Sequence, residues 1–137
     1  MPSARQLLAP LLVLAAIACG GGASYQVQGT SNAPGADAEV IVTPLDGRNF
    51  RVDIHADHLP PPGRMAAGAT VYVVWVEPTR ERPVRLGSLP LEGSRSASMY
   101  GTTVEATFEV LVTAETRVDV ASPSEHIVLR QRADLGG

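Results

Sequence analysis

Apolar and polar residues alternate in short stretches through most of the chain after residue 24, and glycine, proline, aspartate and asparagine separate these stretches. Alternation with a period of two is typical of half-buried β-strands, and no long stretch has the 3.6-residue period of an amphipathic helix. In residues 49–56, for example, the even positions are apolar, while Arg51, Asp53 and His55 lie on the opposite face. The pattern predicts strands at residues 25–29, 39–43, 49–56, 70–76, 84–89, 96–100, 105–113, 118–120 and 127–130.

Turn-forming residues and composition indicate how these strands are arranged. Asp46-Gly47 predicts a hairpin, because both residues tolerate a positive φ. The prolines at 60–62 end the preceding strand, since proline cannot donate a ladder hydrogen bond. Residues 70–76 are β-branched or aromatic without strict alternation, so we expect this strand to be central and covered on both faces.

Seven to nine short strands at this spacing predict an all-β fold, a β-sandwich, with a small barrel as the alternative. We expect one domain at residues 25–132, followed by a frayed tail at residues 133–137. A chain of this length can bury one hydrophobic core. With a single cysteine it cannot form an intrachain disulfide, so packing must hold the fold together.

An apolar leader that ends at this cysteine precedes the strands. Residues 7–18 are apolar throughout, interrupted only by Pro10. Twelve residues are too few to span about 30 Å of hydrocarbon as a helix, but they suit the hydrophobic region of a signal peptide. The segment Leu14-Ala-Ala-Ile-Ala-Cys19 resembles a bacterial lipobox, although Ala16 stands where leucine is most common. The resemblance implies a signal peptide at residues 1–18 and lipidation of Cys19.

The lipobox resemblance also implies a location in the cell envelope. Cys19 would carry a thioether-linked diacylglycerol and an N-acyl chain, and two or more chains anchor a protein stably in a membrane. Residues 19–24 would then be the lipidated cysteine and a flexible tether. Because residue 20 is not aspartate, the resemblance favours the outer membrane, with the domain facing the periplasm or the cell surface. The alternative is an ordinary signal peptide cut near Ala18, which would leave a free thiol on Cys19.

Charge narrows the possible partners. The formal net charge is −3, and loss of the leader with Arg5 would make it −4. The eleven basic residues are all arginines and are scattered among acidic residues. We therefore expect no nucleic-acid partner, since nucleic-acid-binding domains carry a basic patch or stripe.

Five motifs follow one another over about residues 50–130. They are Leu59-Pro-Pro-Pro62, Tyr72-Val-Val-Trp75, Leu86-Gly-Ser-Leu89, Phe108-Glu-Val-Leu-Val-Thr-Ala-Glu115 and Pro123-Ser-Glu-His-Ile-Val-Leu129. Their order and spacing are similar to the extracytoplasmic domain of anti-sigma-K factors and related small envelope proteins. The resemblance implies an immunoglobulin-like sandwich. We expect this fold without the regulatory activity, because the sequence shows neither a sigma-binding segment nor a transmembrane helix, and Glu125-His126 replaces small residues before the last strand.

The best candidate metal ligands lie in His55-Ala-Asp-His58. Imidazole and carboxylate are suitable zinc ligands. On a strand, His55 and Asp57 would share a face, with His58 at the strand end, and His126 could join them only if the fold brought it near. A solvated strand terminus is the interpretation that we favour, so we expect no metal and no other cofactor.

The sequence supports a catalytic site less than it supports a metal site. Ser122 or Ser124 with His126 and Asp119 would be a serine triad at a spacing too short for its geometry. Glu105 and Glu109 would share one strand face, whereas a glycosidase needs two carboxyl groups across a cleft. Tyr72 and Trp75 could stack on a ligand, but in the most apolar strand we expect them to fill the core. We therefore predict no catalytic site and a non-enzymatic protein.

Taken with the lipobox, these observations predict a membrane-anchored envelope lipoprotein whose β-sandwich is a structural or protein-binding module. Its partners would be the membrane, through the lipid on Cys19, and an unidentified envelope protein. The alternative is a periplasmic metal-binding protein that uses His55, Asp57 and His58.

Overall fold

The structure, a computed structural model, describes residues 21–91 and 94–136. Eight β-strands form within these residues. In two of them, Asp37–Pro44 and Phe50–Asp57, buried apolar side chains alternate with half-buried or exposed ones. The strands are β1 (Ala23–Gln28), β2 (Asp37–Pro44), β3 (Phe50–Asp57), β4 (Val71–Pro78), β5 (Val84–Leu89), β6 (Ala97–Thr103), β7 (Thr107–Glu115) and β8 (Ile127–Asp134). A 3-10 turn (Asp46–Arg48) joins β2 to β3, and one helical turn, α1 (Pro62–Met65), follows the prolines. None of the helices described is long or apolar enough to cross a membrane.

The strands form two antiparallel four-stranded sheets. Sheet A has the order β1-β2-β3-β6, and sheet B has the order β5-β4-β7-β8. The chain crosses between the sheets after β3, after β5 and after β6. Strands β2-β3-β6 and β5-β4-β7-β8 therefore correspond to strands A-B-E and C′-C-F-G of an immunoglobulin-like sandwich. The predicted all-β sandwich is confirmed, and the sheets do not close into the alternative barrel.

Inward-facing side chains of both sheets fill the space between them. Val42 and Val52 of sheet A and Val74 and Val112 of sheet B are each fully buried in this core. Burial of one such side chain contributes about 1.5–3 kcal/mol to folding. The even positions of β3 lie on this inner side, as the alternation predicted.

β4 is covered on both faces, as its composition predicted. Tyr72 and Val74 belong to the core between the sheets. Val73 and Trp75 form a second buried cluster with Leu111 on the outer face of sheet B. The expectation that Tyr72 and Trp75 fill the core is confirmed, since their exposed fractions are 0% and 1%.

The sheets approach each other closely at the edge formed by β5 and β6. An added Cβ at Gly101 on β6 would lie 2.6 Å from Cγ of Leu86 on β5. An added Cβ at Gly87 on β5 would lie 2.7 Å from Cε of Met99 on β6. Glycine at these two positions therefore allows the sandwich to close along this edge.

One predicted strand does not form. Residues 118–120 make a turn within the connection between β7 and β8. The carbonyl oxygen of Val120 accepts a hydrogen bond from the Arg85 guanidinium at 2.9 Å, and Val120 packs against the Trp75 cluster. The segment therefore crosses the face of sheet B instead of pairing with the edge of a sheet.

Several element boundaries also differ from the alternation pattern. β7 begins at Thr107, so Glu105 lies in the turn before it. β8 continues to Asp134 and buries Ala133, beyond the predicted end of the domain at residue 132. β1 begins at Ala23, inside the segment expected to be a tether.

Candidate functional site

The strand pairing of sheet A places His55 and Asp57 side by side on its outer face. His55 on β3 lies between its register partners Glu39 on β2 and Ser98 on β6. Its Nδ1 is 2.5 Å from the Ser98 hydroxyl, and its Nε2 is 3.8 Å from Oδ2 of Asp57. The Ser96 hydroxyl donates to Oδ1 of Asp57.

His58 contacts a different carboxylate. It has a φ of 59°, which ends β3, and its Nδ1 is 2.7 Å from Oδ1 of Asp37. Asp37 and Asp57 are register partners on β2 and β3. Like charges directly opposite each other destabilise a sheet. The contacts of His58 with Asp37 and of Ser96 with Asp57 offset that repulsion.

The predicted metal ligands do not converge in the structure. His55 and Asp57 share a face as expected, but the ring of His58 is directed to Asp37. His126 lies beside sheet B, where its carbonyl oxygen accepts the amide hydrogen of Ala114. Within residues 21–91 and 94–136, no group of three histidine, cysteine, aspartate or glutamate side chains could hold a metal ion.

The candidate catalytic groups have structural partners. The Ser124 hydroxyl donates to the carbonyl oxygen of Ala114 and accepts the amide hydrogen of His126. Asp119 forms an ion pair of 2.9 Å with Arg117. The hydroxyl and the carboxylate imagined for a triad thus stabilise the local turn. Of the two candidate glutamates, Glu109 pairs with Arg130 across β7 and β8 at 3.4 Å, while Glu105 lies off the strand.

The outer face of sheet B is partly covered by the β7–β8 connection. Trp75 donates from Nε1 to Oγ1 of Thr113, which donates to Oε2 of Glu115 at 2.6 Å. The same Glu115 oxygen accepts the amide hydrogen of Ser124 at 2.8 Å, which links the connection to the sheet. Glu115 is 6% exposed, so these hydrogen bonds replace water for a buried carboxylate.

The outer face of sheet A has no comparable cover among the described residues. We call it the open face and define it by the outward-facing side chains of β1, β2, β3 and β6. Its most exposed large hydrophobic side chain is Tyr100, at 60%. A shallow pocket of about 270 Å³ lies against Tyr100, between Glu39 and Ile41 on β2 and His55 on β3. Ile41 is itself 37% exposed, so the pocket has one apolar wall and one acidic wall.

Arg51 stacks on the Tyr100 ring and does not line the pocket. Its guanidinium carbon lies 3.9 Å from the centroid of the Tyr100 ring, a cation–π contact. Its Nε and Nη2 atoms donate to the carboxylate of Asp53 at 3.0–3.2 Å. The hydrogen bonds to Asp53 raise the pKa of Arg51 above its ordinary value. The guanidinium therefore covers one side of the Tyr100 ring, while the ring as a whole remains 60% exposed.

The open face is acidic. It carries the carboxylates of Asp37, Glu39, Asp53 and Asp57. Against these it carries one permanent cation, Arg51, together with the imidazole rings of His55 and His58. The face therefore attracts cationic groups more readily than anionic ones.

The alternation in the sequence identified the β3 residues of the open face but not their neighbours on β6. Alternation placed Arg51, Asp53 and His55 on one side of β3, which the structure confirms. It did not connect them with Tyr100, because β6 pairs with β3 only after the chain has passed twice between the sheets. Cys19 lies outside the described residues, so its lipidation stays a prediction.

No protein-family model, curated protein or solved structure matches this chain significantly. The resemblance of residues 50–130 to the extracytoplasmic domain of anti-sigma-K factors therefore stays a prediction. The assignment of the fold as a sandwich depends on the strand pairing described above and not on this resemblance.

Proposed function

We propose that this protein is a lipid-anchored envelope lipoprotein whose sandwich binds another protein through the open face. The anchor is inferred from the lipobox-like segment that ends at Cys19. The observation that carries the binding role is Tyr100, which is exposed beside an acid-lined pocket while Tyr72, Trp75 and Phe108 are all buried. Aromatic side chains that combine an apolar body with a polar tip are enriched in protein interfaces.

The charge of the open face defines the partner's chemistry. Four carboxylates and one guanidinium favour a partner segment that presents lysine or arginine side chains. A cationic side chain of the partner could stack on the free side of Tyr100 and reach the carboxylate of Glu39, in the way that Arg51 already stacks on the ring and bonds Asp53. We assign no catalytic role to the open face, and a non-enzymatic function remains our proposal.

Site-specific photo-cross-linking in living cells tests the binding role on the full-length chain. A benzoylphenylalanine in place of Tyr100 should give a discrete protein adduct, and the cross-linked partner peptide should contain lysine or arginine. The matched control carries the probe in place of Val118, a side chain of similar exposure in the β7–β8 connection. A Glu39→Lys change in the Tyr100 probe strain should reduce the adduct several-fold. Identical adducts from both probe sites, or insensitivity to Glu39→Lys, would contradict the proposed binding face.

Cell fractionation tests the anchor. The wild-type chain should remain with membranes after washing with high salt, whereas Cys19→Ser should accumulate as unprocessed precursor or as soluble protein. Retention of a processed Cys19→Ser chain in the same membrane fraction would argue against a lipoprotein. The periplasmic metal-binding alternative has no supporting arrangement among the described side chains.

A further inference from the structure

The start of β1 lies at the same end of the sandwich as the ends of β2, β4 and β6 and the starts of β3, β5 and β7. In sheet A, Ala23 pairs with Val42 near the end of β2, and Phe50 at the start of β3 pairs with Pro44 and Thr103. The turn from β6 to β7 spans only residues 104–106, so the start of β7 lies at the same end. The β4–β5 turn follows, because Pro78 pairs with Phe108 near the start of β7. We call this region the N-terminal end and define it by residues 21–23, 44–50, 78–84 and 103–107.

Exposed apolar side chains project from three places at the N-terminal end. Leu45 in the β2–β3 turn is 43% exposed, Val104 in the β6–β7 turn is 70% exposed, and Val84 at the start of β5 is 59% exposed. At the opposite end, the described β1–β2 connection presents Ser31, Asn32 and neighbouring small residues, while the β7–β8 connection exposes one large apolar side chain, Val118, at 51%. Isolated exposed apolar residues are ordinary on a protein surface, but their location on the turns beside the chain's entry into β1 requires a reason.

The chain enters β1 next to the first of these turns. A side chain built at Gly21 would approach Cγ of Pro44, the residue before Leu45, at 3.8 Å. Only Gly20 separates Cys19 from Gly21 in the chain, and an extended chain spans at most about 3.6 Å per residue. A lipid on Cys19 would thus hold Gly21, and Leu45 with it, close to the membrane surface.

We propose that the N-terminal end rests on the lipid bilayer, with the side chains of Leu45 and Val104 entering the boundary between headgroups and acyl chains. This orientation rests on the proposed lipid anchor and adds a contact surface to it. Three arginines (Arg48, Arg80, Arg82) are balanced by three acids (Asp46, Glu81, Glu105) at this end, so the contact depends on apolar insertion rather than on anionic lipid. The open face then stands at the side of the sandwich, away from the bilayer and accessible to a partner.

Environment-sensitive probes on the full-length, acylated protein test this orientation. Because the native cysteine is expected to be blocked as a thioether, a single cysteine introduced by Leu45→Cys or Val104→Cys can be labelled selectively with a nitrobenzoxadiazole dye. The matched controls are Ser31→Cys at the opposite end and Val118→Cys in the β7–β8 connection, both exposed. Circular dichroism of each labelled protein verifies that the β-sandwich is intact.

The labelled proteins are reconstituted into vesicles of phosphatidylethanolamine with and without phosphatidylglycerol. We expect emission from positions 45 and 104 to shift to the blue, to rise at least two-fold, and to be quenched by spin-labelled lipid in both compositions. Positions 31 and 118 should keep the spectrum of the dye in water.

The outcomes separate the orientation from the anchor. If acylated protein sediments with the vesicles but positions 45 and 104 remain as exposed to water as position 31, the orientation is wrong and the anchor stands. If insertion occurs only with phosphatidylglycerol, the contact is electrostatic and the proposed apolar insertion is wrong. If the mass of the purified chain shows no acyl groups, the anchor fails and the orientation fails with it.

Discussion

The indole Nε1–H of Trp75 donates a buried hydrogen bond of 2.9 Å to Oγ1 of Thr113, on the outer side of sheet B. The Thr113 hydroxyl in turn donates to the carboxylate of Glu115, which also accepts the amide hydrogen of Ser124. The strand pair β4–β7 and the β7–β8 connection are therefore joined by polar contacts as well as by the packing of Val120 on the Trp75 cluster. This covered face contrasts with the open face of sheet A.

Substitution of the buried side chains of Trp75 and Thr113 should destabilise the fold. Trp75→Ala should lower the free energy of unfolding by about 3–5 kcal/mol, the cost of deleting a buried aromatic side chain. Thr113→Val should cost about 1–3 kcal/mol, because it leaves the indole N–H without its partner, while Thr113→Ser should cost less because it keeps the hydroxyl. Urea unfolding followed by circular dichroism measures these differences, because Trp75→Ala removes the one tryptophan of the chain. The native emission should be blue-shifted, and a spectrum like that of free tryptophan with unchanged melting would favour an exposed binding role for Trp75.

The Tyr72 hydroxyl should make stability depend on pH in the alkaline range. It donates a 2.6 Å hydrogen bond to the carbonyl oxygen of Pro60, and burial raises its pKa to about 12. The unfolded chain releases this proton near pH 10, so the contribution is complete below pH 10 and is lost between about pH 10 and pH 12. Its full size is up to about 3 kcal/mol.

Tyr72→Phe provides the comparison for that dependence. The phenylalanine variant lacks the ionisable group, so the difference in unfolding free energy between wild type and variant should shrink as the pH rises from 9.5 to 11.5. Urea titrations at several pH values measure it. A difference that stays constant over this range would show that Tyr72 is not shielded from water.

Two glycines in the β1–β2 connection should respond very differently to alanine. A Cβ at Gly29 would lie 1.9 Å from the carbonyl oxygen of Ala33, which is backbone and cannot move aside cheaply, whereas a Cβ at Gly35 meets nothing within 4 Å. Gly29→Ala should therefore cost at least about 1–3 kcal/mol, and Gly35→Ala should change stability by less than about 0.5 kcal/mol. Thermal melting of the two purified variants compares them, and equal melting temperatures would show that the connection does not pack as described.

Zinc should not stabilise the domain. His55 and His58 contact different partners at an exposed strand end, and a zinc site needs three or four ligands at about 2.0–2.3 Å. Replacing both histidines with alanine should change stability by less than about 0.5 kcal/mol, as for other surface substitutions. The decisive comparison is the melting temperature with and without zinc. A rise in the wild type that the double variant loses would replace the binding-module account with the metal-binding one.

The sequence predicted the positions of the strands and their buried sides better than it predicted which segments contact each other in the fold. Alternation along β3 and the apolar composition of β4 identified the strands and their buried sides, because these properties are local. The strand predicted at residues 118–120 does not form. This segment instead covers Trp75 on a face assembled from distant strands, and local alternation carries no information about that face.

The candidate site shows the same division between local and long-range information. His55, Asp57 and His58 are close in the chain, which suggested a common site, but the positive φ of His58 and the register of β2 direct that ring to Asp37. Tyr100 was not predicted as a site residue, since its neighbours Arg51 and Glu39 come from strands far away in the chain. Sequence could supply the chemistry of the open face only in separate pieces.

We propose that a lipid on Cys19 attaches the sandwich to the envelope, and the intact mass of the mature protein extracted from membranes reports on this attachment. We expect a chain that begins at Cys19 and carries a diacylglyceryl group with an additional N-acyl chain. Digestion should locate all of the added mass on the N-terminal peptide. A mature chain that begins at another residue, or one that begins at Cys19 with an unmodified thiol, would rule out the lipid anchor.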